Sequence, residues 1–300
     1  MAATSVGRGR GISERAIEMC LLVAALSSVI ITVSIVGVLI IETWQFFQEV
    51  SVIDFLTGRE WTPLFSRKQF GVLPLFAGTA LTSLIAMLVA GPFGLMSAVY
   101  LSEYAGKRLR SIVKPVLEIL AAVPTVVYGY FALQLVTPWL QRLIPSLSGF
   151  NALSPGLVMG IMILPIVSSL SEDALRAVPH SLREGAYALG AKRWQMVFSL
   201  ALPAAFSGVV SAFLLGLARA VGETMIVAIA AGLQPRFTFN PLVPIETITA
   251  YIVQVSLGDT PSGSLEYKTI FAVGMTLFVA MFALNTIGSW LRRRFQEVYE

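Results

Sequence analysis

The chain has 300 residues, of which 56% are apolar and 13% charged, and its mean hydropathy is +0.79. Soluble domains carry roughly 25% charged residues, so too little polar sequence is present to cover a soluble fold. A net charge of +4 could suit a nucleic-acid binder, but the distribution of that charge follows a membrane instead, and no nucleic-acid partner is expected. With one cysteine, Cys20, and one histidine, His180, an internal disulfide is excluded and a metal cluster is not expected. No cofactor is expected in this chain. Residues 1–300 therefore read as one all-α polytopic membrane domain of about six spans.

In chain order, Arg8, Arg10 and Arg15 precede an apolar run from Ala16 to Ile41. A signal-peptide core is about 7–15 residues long. This run is longer and no A-x-A site follows, so it predicts an uncleaved first span. An aromatic segment, residues 42–71, comes next, with Trp44, Phe46, Phe47, Phe55, Trp61, Phe65 and Phe70. It reads either as an interfacial belt or as a contact for an external partner. Further apolar runs cover Val72–Leu101, Val113–Leu140, Pro155–Ser171, Leu200–Leu233 and Thr269–Leu291. Gly91-Pro92, Pro124, Pro138 and Pro165 interrupt them, which predicts kinked helices packed in a bundle. Glu118, near the start of the third run, is expected to be structural. The string Thr125-Val-Val-Tyr128-Gly129 lacks the first glycine of a potassium filter, and the apolar run continues past it, so a filter is rejected.

A straight helix over Leu200–Leu233 would reach about 51 Å, beyond the roughly 30 Å hydrocarbon core. One span near Ser207–Ala231 is expected, with Leu200–Phe206 lying at the membrane surface. Residues 234–268 then form a second external loop, long and polar enough to meet a partner. Orientation follows from the 21 lysines and arginines. With alternating sides, fourteen fall with the termini and the two loops around Lys107–Lys114 and Arg176–Arg193, six fall opposite, and Arg219 lies within a span. Positive residues mark the cytoplasmic side, so both termini are expected inside.

The longest inside loop, residues 172–203, is the most informative. Ser181-x-x-Glu184 has the form of a capping box, and Gly190 can take the left-handed turn that ends a helix. A second amphipathic piece runs from Lys192 to Pro203. The pattern is a helix–turn–helix with a face of very small residues, suited to close approach by another protein, or simply a well-capped connector.

Glu184-Gly185-Ala186-x3-Gly190-x9-Leu200-x-Leu202-Pro203 resembles the EAA loop of ABC importer permeases, with Gly185 in place of alanine and Leu200 in place of isoleucine. The resemblance implies a type I (MetI-like) permease fold in which Glu184, Gly185, Ala186, Gly190, Leu200, Leu202 and Pro203 form the joint with a separate ATPase. The chain itself carries no P-loop: the one Gly-Lys pair, Gly106-Lys107, lacks the upstream glycine and is followed by Arg108.

Arg219 and Glu223 lie four residues apart in the fifth run, on one helix face. They read as a self-neutralising pair or as a lining of the solute path, where an arginine suits an anion. Ala218–Met225, Tyr100–Ala105, Pro124-Thr125-x2-Tyr128-Gly129 and Phe70-Gly71-x-Leu73-Pro74-Leu75 resemble segments of the phosphate-specific (Pst) importers, and the long aromatic loop resembles their PstC-type subunit. That resemblance implies import of inorganic phosphate across the inner membrane by alternating access. It also implies a PstA-like second permease, two PstB-like ATPases, an external PstS-like phosphate-binding protein and surrounding membrane lipid. Import of another oxyanion stays open. An ion-gradient-driven transporter is the rival class, but no internal repeat is visible. A membrane enzyme is disfavoured by the absence of HExxH or an intramembrane Asp pair.

Overall fold

The computed structural model describes residues 7–261 and 263–295, and the side chains of all of these except 7–13, 293 and 295. Residues 1–6 and 296–300, the termini expected on the inside, lie outside the described residues. The helices in chain order are α1 (Gly7–Glu49), α2 (Val52–Thr57), α3 (Leu73–Val99), α4 (Lys107–Ala122), α5 (Thr125–Phe131), α6 (Thr137–Leu143) and α7 (Leu153–Ala177). They continue as α8 (His180–Ala188), α9 (Arg193–Met196), α10 (Leu202–Ala204), α11 (Phe206–Val221), α12 (Met225–Ala230), α13 (Ile248–Leu257) and α14 (Leu265–Phe295). Three π-helical turns, Tyr100–Tyr104, Ala132–Val136 and Val197–Ala201, extend or join them. No strand occurs among the described residues, only two isolated bridges, Trp61–Phe70 and Gly232–Ile245.

Four helices are long and apolar enough to cross a membrane, and two bent pairs bring the number to as many as six. The chain is an all-α, multi-pass membrane protein. α1 is exposed from Glu14 to Ile35 and packs only toward its end, where Leu39 meets Gly274 of α14. An apolar helix with so little protein around it needs a hydrocarbon environment or a neighbouring subunit to cover it.

The centre is built from α3, α7 and α11. Small residues set their spacing: a Cβ at Gly160 would stand 2.6 Å from Val89 of α3, and one at Gly216 of α11 would stand 2.9 Å from Val167 of α7. Between helices in lipid, van der Waals contact of this kind supplies much of the association energy. Buried side chains form three layers along the bundle. At an aromatic end are Phe46, Phe55, Trp61 and Tyr251; in the middle are Met159, Ile163, Val167 and Ile226; at a basic end are Ala98, Leu175, Met196 and Val209.

Two expected spans are corrected. The run Val113–Leu140 is not one helix: α4 turns from the Thr125–Leu143 helix by 86°. Pro124 forces the preceding Val123 into extended backbone, at φ −62° and ψ 132°. α4 has no buried residue and is held to α7 by charge instead: Glu172, fully buried, meets Arg110, Lys114 at 3.0 Å and Arg176 at 3.9 Å, and Asp173 meets Lys114 at 2.9 Å. The fifth run bends by 72° at Ala205, where the sequence places a surface turn, but the long helix then stops at Val221 and does not reach Ala231. A break at Gly222–Thr224 separates it from α12.

The second loop, 234–268, is also less polar than expected. It contains α13, and Ile245, Ile248, Tyr251 and Val255 are core residues. The aromatic segment divides similarly. Phe46, Phe55 and Trp61 are buried in edge-to-face contacts, while Trp44 and Phe65 stay about two-thirds exposed.

Candidate functional site

The EAA-like residues lie together at the basic end. α8 begins at His180 after Pro179, so Ser181 sits inside the first turn and does not cap it. The expected Ser181–Glu184 capping box is therefore absent, because Pro179 already fixes the entry and Ser181 has helical backbone. Gly190 behaves as the spacing predicts. At φ +80° it accepts the left-handed conformation, its N–H donates to Tyr187 O at 2.9 Å, and Ala191 N–H donates to Ala186 O at 3.1 Å. That pair of bonds is a Schellman cap.

Beyond the turn, Lys192 N–H donates to Gln195 Oε1 at 2.8 Å and starts α9. Leu182, Ala186, Leu200 and Leu202 pack against the basic-end core. The opposite face of α8 is bare: Glu184, Ala188 and Leu189 are exposed, and a Cβ at Gly185 or Gly190 would meet nothing within 4 Å. Pro203 is exposed where α10 turns into α11.

One residue of this loop was not singled out from the sequence. Arg183, 9% exposed, points inward from α8. Its Nη1 donates to Glu103 Oε1 at 2.7 Å, and its Nη2 donates to the carbonyl of Leu175 in α7 at 2.6 Å. Glu103 lies in the π-helical turn that ends α3 and also accepts from the Ser102 hydroxyl at 3.0 Å. A cation inside a small-residue helix beside the motif was the available sequence signal.

Arg219 and Glu223 are brought together, but not on one continuous helix. Arg219 is in the last turn of α11, and Glu223 sits in the break beyond it. Arg219 Nη1 donates to Glu223 Oε2 at 2.5 Å. Glu223 Oε1 accepts from the N–H groups of Met225 and Ile226, at 3.1 and 3.3 Å, which satisfies the start of α12. Its backbone carbonyl accepts from the Thr249 hydroxyl at 2.6 Å. The carboxylate is 2% exposed, whereas the Arg219 side chain is 38% exposed. The anion is thus consumed by three donors while the cation keeps an open side. At about 1.5 Å per residue, α11 separates this pair from the turn at Ala205 by about 24 Å. Glu118 is exposed on α4.

A strap, residues 245–249, meets the pair through Thr249 and Glu223. Thr79 of α3 accepts from Ile248 N–H at 3.0 Å, and a Cβ on Gly78 would stand 2.2 Å from the Glu246 carbonyl. Glu246 is 1% exposed, and its Oε1 has no hydrogen-bond partner among the described residues. Burial pushes its carboxyl up to about 8. Nothing in a run of mostly neutral loop residues marked it beforehand.

Comparison with known proteins gives the family of the chain. The family described as "Binding-protein-dependent transport system inner membrane component" matches residues 90–297. A Bacillus subtilis protein named "Probable ABC transporter permease protein YqgH" is 35% identical, over 96% of this chain and 91% of its own. Proteins named "Phosphate transport system permease protein PstC" from Xylella fastidiosa and "PstC 1" from Mycobacterium tuberculosis are each 33% identical, over 79% and 81% of this chain and 77% and 82% of theirs.

Among solved structures, a bacterial ABC transporter for the acidic polysaccharide alginate superposes with a TM-score of 0.64 at 17% identity, over 96% of this chain and all of that one. The MetNI methionine ABC transporter in an inward-facing form gives 0.56 at 18%, over 76% and 95%. At such identity these two establish the MetI-like fold and nothing finer. The chain belongs to the binding-protein-dependent transport system inner membrane component family, the permeases of ABC importers, and stands among its PstC-type members.

Proposed function

We propose that this permease carries inorganic phosphate into the cell, driven by ATPase subunits that dock on α8. The observation that carries the reading is the contrast within the Arg219–Glu223 pair. Glu223 is fully occupied by Arg219 and two backbone donors, while the guanidinium stays part-open beside a helix break, where a passing anion can share it. Glu223 holds the arginine in place and prevents the site from becoming a permanent anion trap. Support for phosphate over other oxyanions comes from the PstC-named relatives.

In the proposed cycle, ATPase closure pushes on the bare face of α8 around Glu184, Gly185 and Ala188, and Ala186 on the inward face bears on the core. The cap at Gly190 keeps that helix stiff, and Leu200, Leu202 and Pro203 pass the displacement to α11. A PstA-like permease, two PstB-like ATPases and a PstS-like binding protein complete the complex. ATP hydrolysis occurs on the ATPases. The charge bias puts the termini and the basic end in the cytoplasm of an inner-membrane protein.

The test uses the full complex in liposomes. Arg219→Gln should abolish phosphate uptake while the ATPase still co-purifies. Exchanging the pair, Arg219→Glu with Glu223→Arg, should restore folding more than transport, and normal phosphate uptake by the exchanged protein would make the pair structural. Sulfate that is taken up as well as phosphate would redirect the substrate assignment. Orientation is checked in a Cys20→Ser background by labelling Ser181→Cys from inside and Asp259→Cys from outside.

A further inference from the structure

We propose that Arg183 and Glu103 are positioning residues: together they form the joint through which displacement of α8 reaches α3 and α7 as one unit. This rests on the reading of α8 as the ATPase dock and names the part that transmits its movement. Among the described residues, the hydrogen bonds that α8 makes to other elements all come from Arg183. Its other inward contacts, through Leu182 and Ala186, are apolar and can slide. A planar guanidinium with two directed bonds resists such sliding. One arm holds the carboxylate at the end of α3 and the other holds a carbonyl of α7, so a single cation grips both of these central helices at their basic ends.

The receiving segment is unusual as well. Glu103 lies in a π-helical turn, Tyr100–Tyr104, and widened turns of this kind are frequent at functional sites. A second cation from the loop lands on the same turn: the Arg193 guanidinium stands 5.4 Å from the centre of the Tyr104 ring. Both pieces of the helix–turn–helix, α8 and α9, are therefore fastened to one five-residue segment. From there α3 runs to the aromatic end, where Thr79 holds Ile248 N–H, and Thr249 next to it holds the Glu223 carbonyl. The chain of directed bonds thus leads from the docking face to the break beside Arg219.

Stability alone gives little reason for such a pair, since a buried ion pair is often no more stabilising than apolar residues of the same volume. Its value here is directional. The experiment reconstitutes the permease with its partner permease, ATPases and binding protein, and measures phosphate imported per ATP hydrolysed. Arg183→Gln should leave the ATPases bound and hydrolysis within about twofold of wild type, while phosphate per ATP falls on the order of tenfold, within the usual span of coupling between sites. Arg183→Lys, which keeps the charge, should recover part of that ratio.

If Arg183→Gln fails to assemble, Glu103→Asp decides: the charge remains, the reach shortens by one methylene, and the ratio should still fall. Uptake and hydrolysis that drop together at a constant ratio, or a ratio that does not change, would overturn the joint. Failure of the underlying reading looks different, because Gly190→Leu would then keep both its ATPase and its uptake.

Discussion

The two ends of the bundle each have an apolar core and differ in where their charges lie. The ion pairs Lys68–Glu266 and Lys268–Glu49 of the aromatic end are part-exposed, whereas those of the basic end centre on the buried carboxylates Glu172 and Glu103. The aromatic end closes on itself: Trp61 packs edge-on against Phe55 and Tyr251, with ring centres 6.2 and 5.0 Å apart. The basic end is held by charges that reach between elements, Arg183 to Glu103 and Arg110 and Lys114 to Glu172, and it leaves one face of α8 uncovered. Apolar packing seals a surface against water and fixes it. Directed polar contacts fix only the groups they touch and leave the rest free to receive a partner. The difference predicts that damage to the aromatic end costs stability first, and damage to the basic end costs coupling first.

The largest stability effect should come from Trp61→Ala. Removing a buried aromatic of this size costs roughly 3–5 kcal/mol, so the thermal unfolding midpoint of the purified protein should fall sharply, while the fraction that stays folded still retains the ATPase. A basic-end variant with an equal stability loss and no loss of coupling would break the contrast.

Next comes pH. Burial raises the Glu246 carboxyl to about 8, so the folded protein keeps this proton where the unfolded chain has released it. The stability linked to that proton is fully present below the ordinary carboxylate range and is lost progressively as pH rises toward about 8. Glu246→Gln should flatten the decline in melting midpoint over this window. An unchanged slope would place the titrating group elsewhere.

Gly190→Leu forces a branched residue into the left-handed region at φ +80°, at a cost of roughly 1–2 kcal/mol. The expected result is a small drop in melting midpoint with a much larger drop in phosphate uptake and in ATPase co-purification. Unchanged uptake and association would remove Gly190 from the docking element. The smallest effect is expected at Gly185. A Cβ there meets nothing, and alanine is better than glycine inside a helix by up to about 1 kcal/mol. Gly185→Ala should leave uptake unchanged and the melting midpoint equal or slightly higher. A loss of uptake would mean that the docked partner approaches closer than a methyl group allows.

Much of this was legible in the sequence, for identifiable reasons. Long apolar runs report which segments prefer hydrocarbon, and that depends on composition alone. The left-handed turn at Gly190 and the end of α8 were legible because a backbone conformation open mainly to glycine leaves a glycine behind. The bend at Ala205 followed from length, since the run is too long to cross as one straight helix. By contrast, the capping box at Ser181 had the right letters and did not form, because Pro179 already sets the start of the helix.

Tertiary structure decided the rest. Pro124 marks where α4 ends, but that α4 lies against α7 rests on Glu172 meeting Arg110 and Lys114, a contact between residues about sixty positions apart. The break at Gly222–Thr224 exists because Glu223 accepts from the next helix and Thr249 holds its carbonyl. The sequence marks Arg183 as a cation in a small-residue helix, but its partner, Glu103, is eighty positions away and only the fold brings the two together. Sequence by itself determined which segments prefer hydrocarbon and which backbone positions need glycine, because those are local free energies. Which charges meet across the bundle is set by the packing of α3, α7 and α11, and no local pattern contains it.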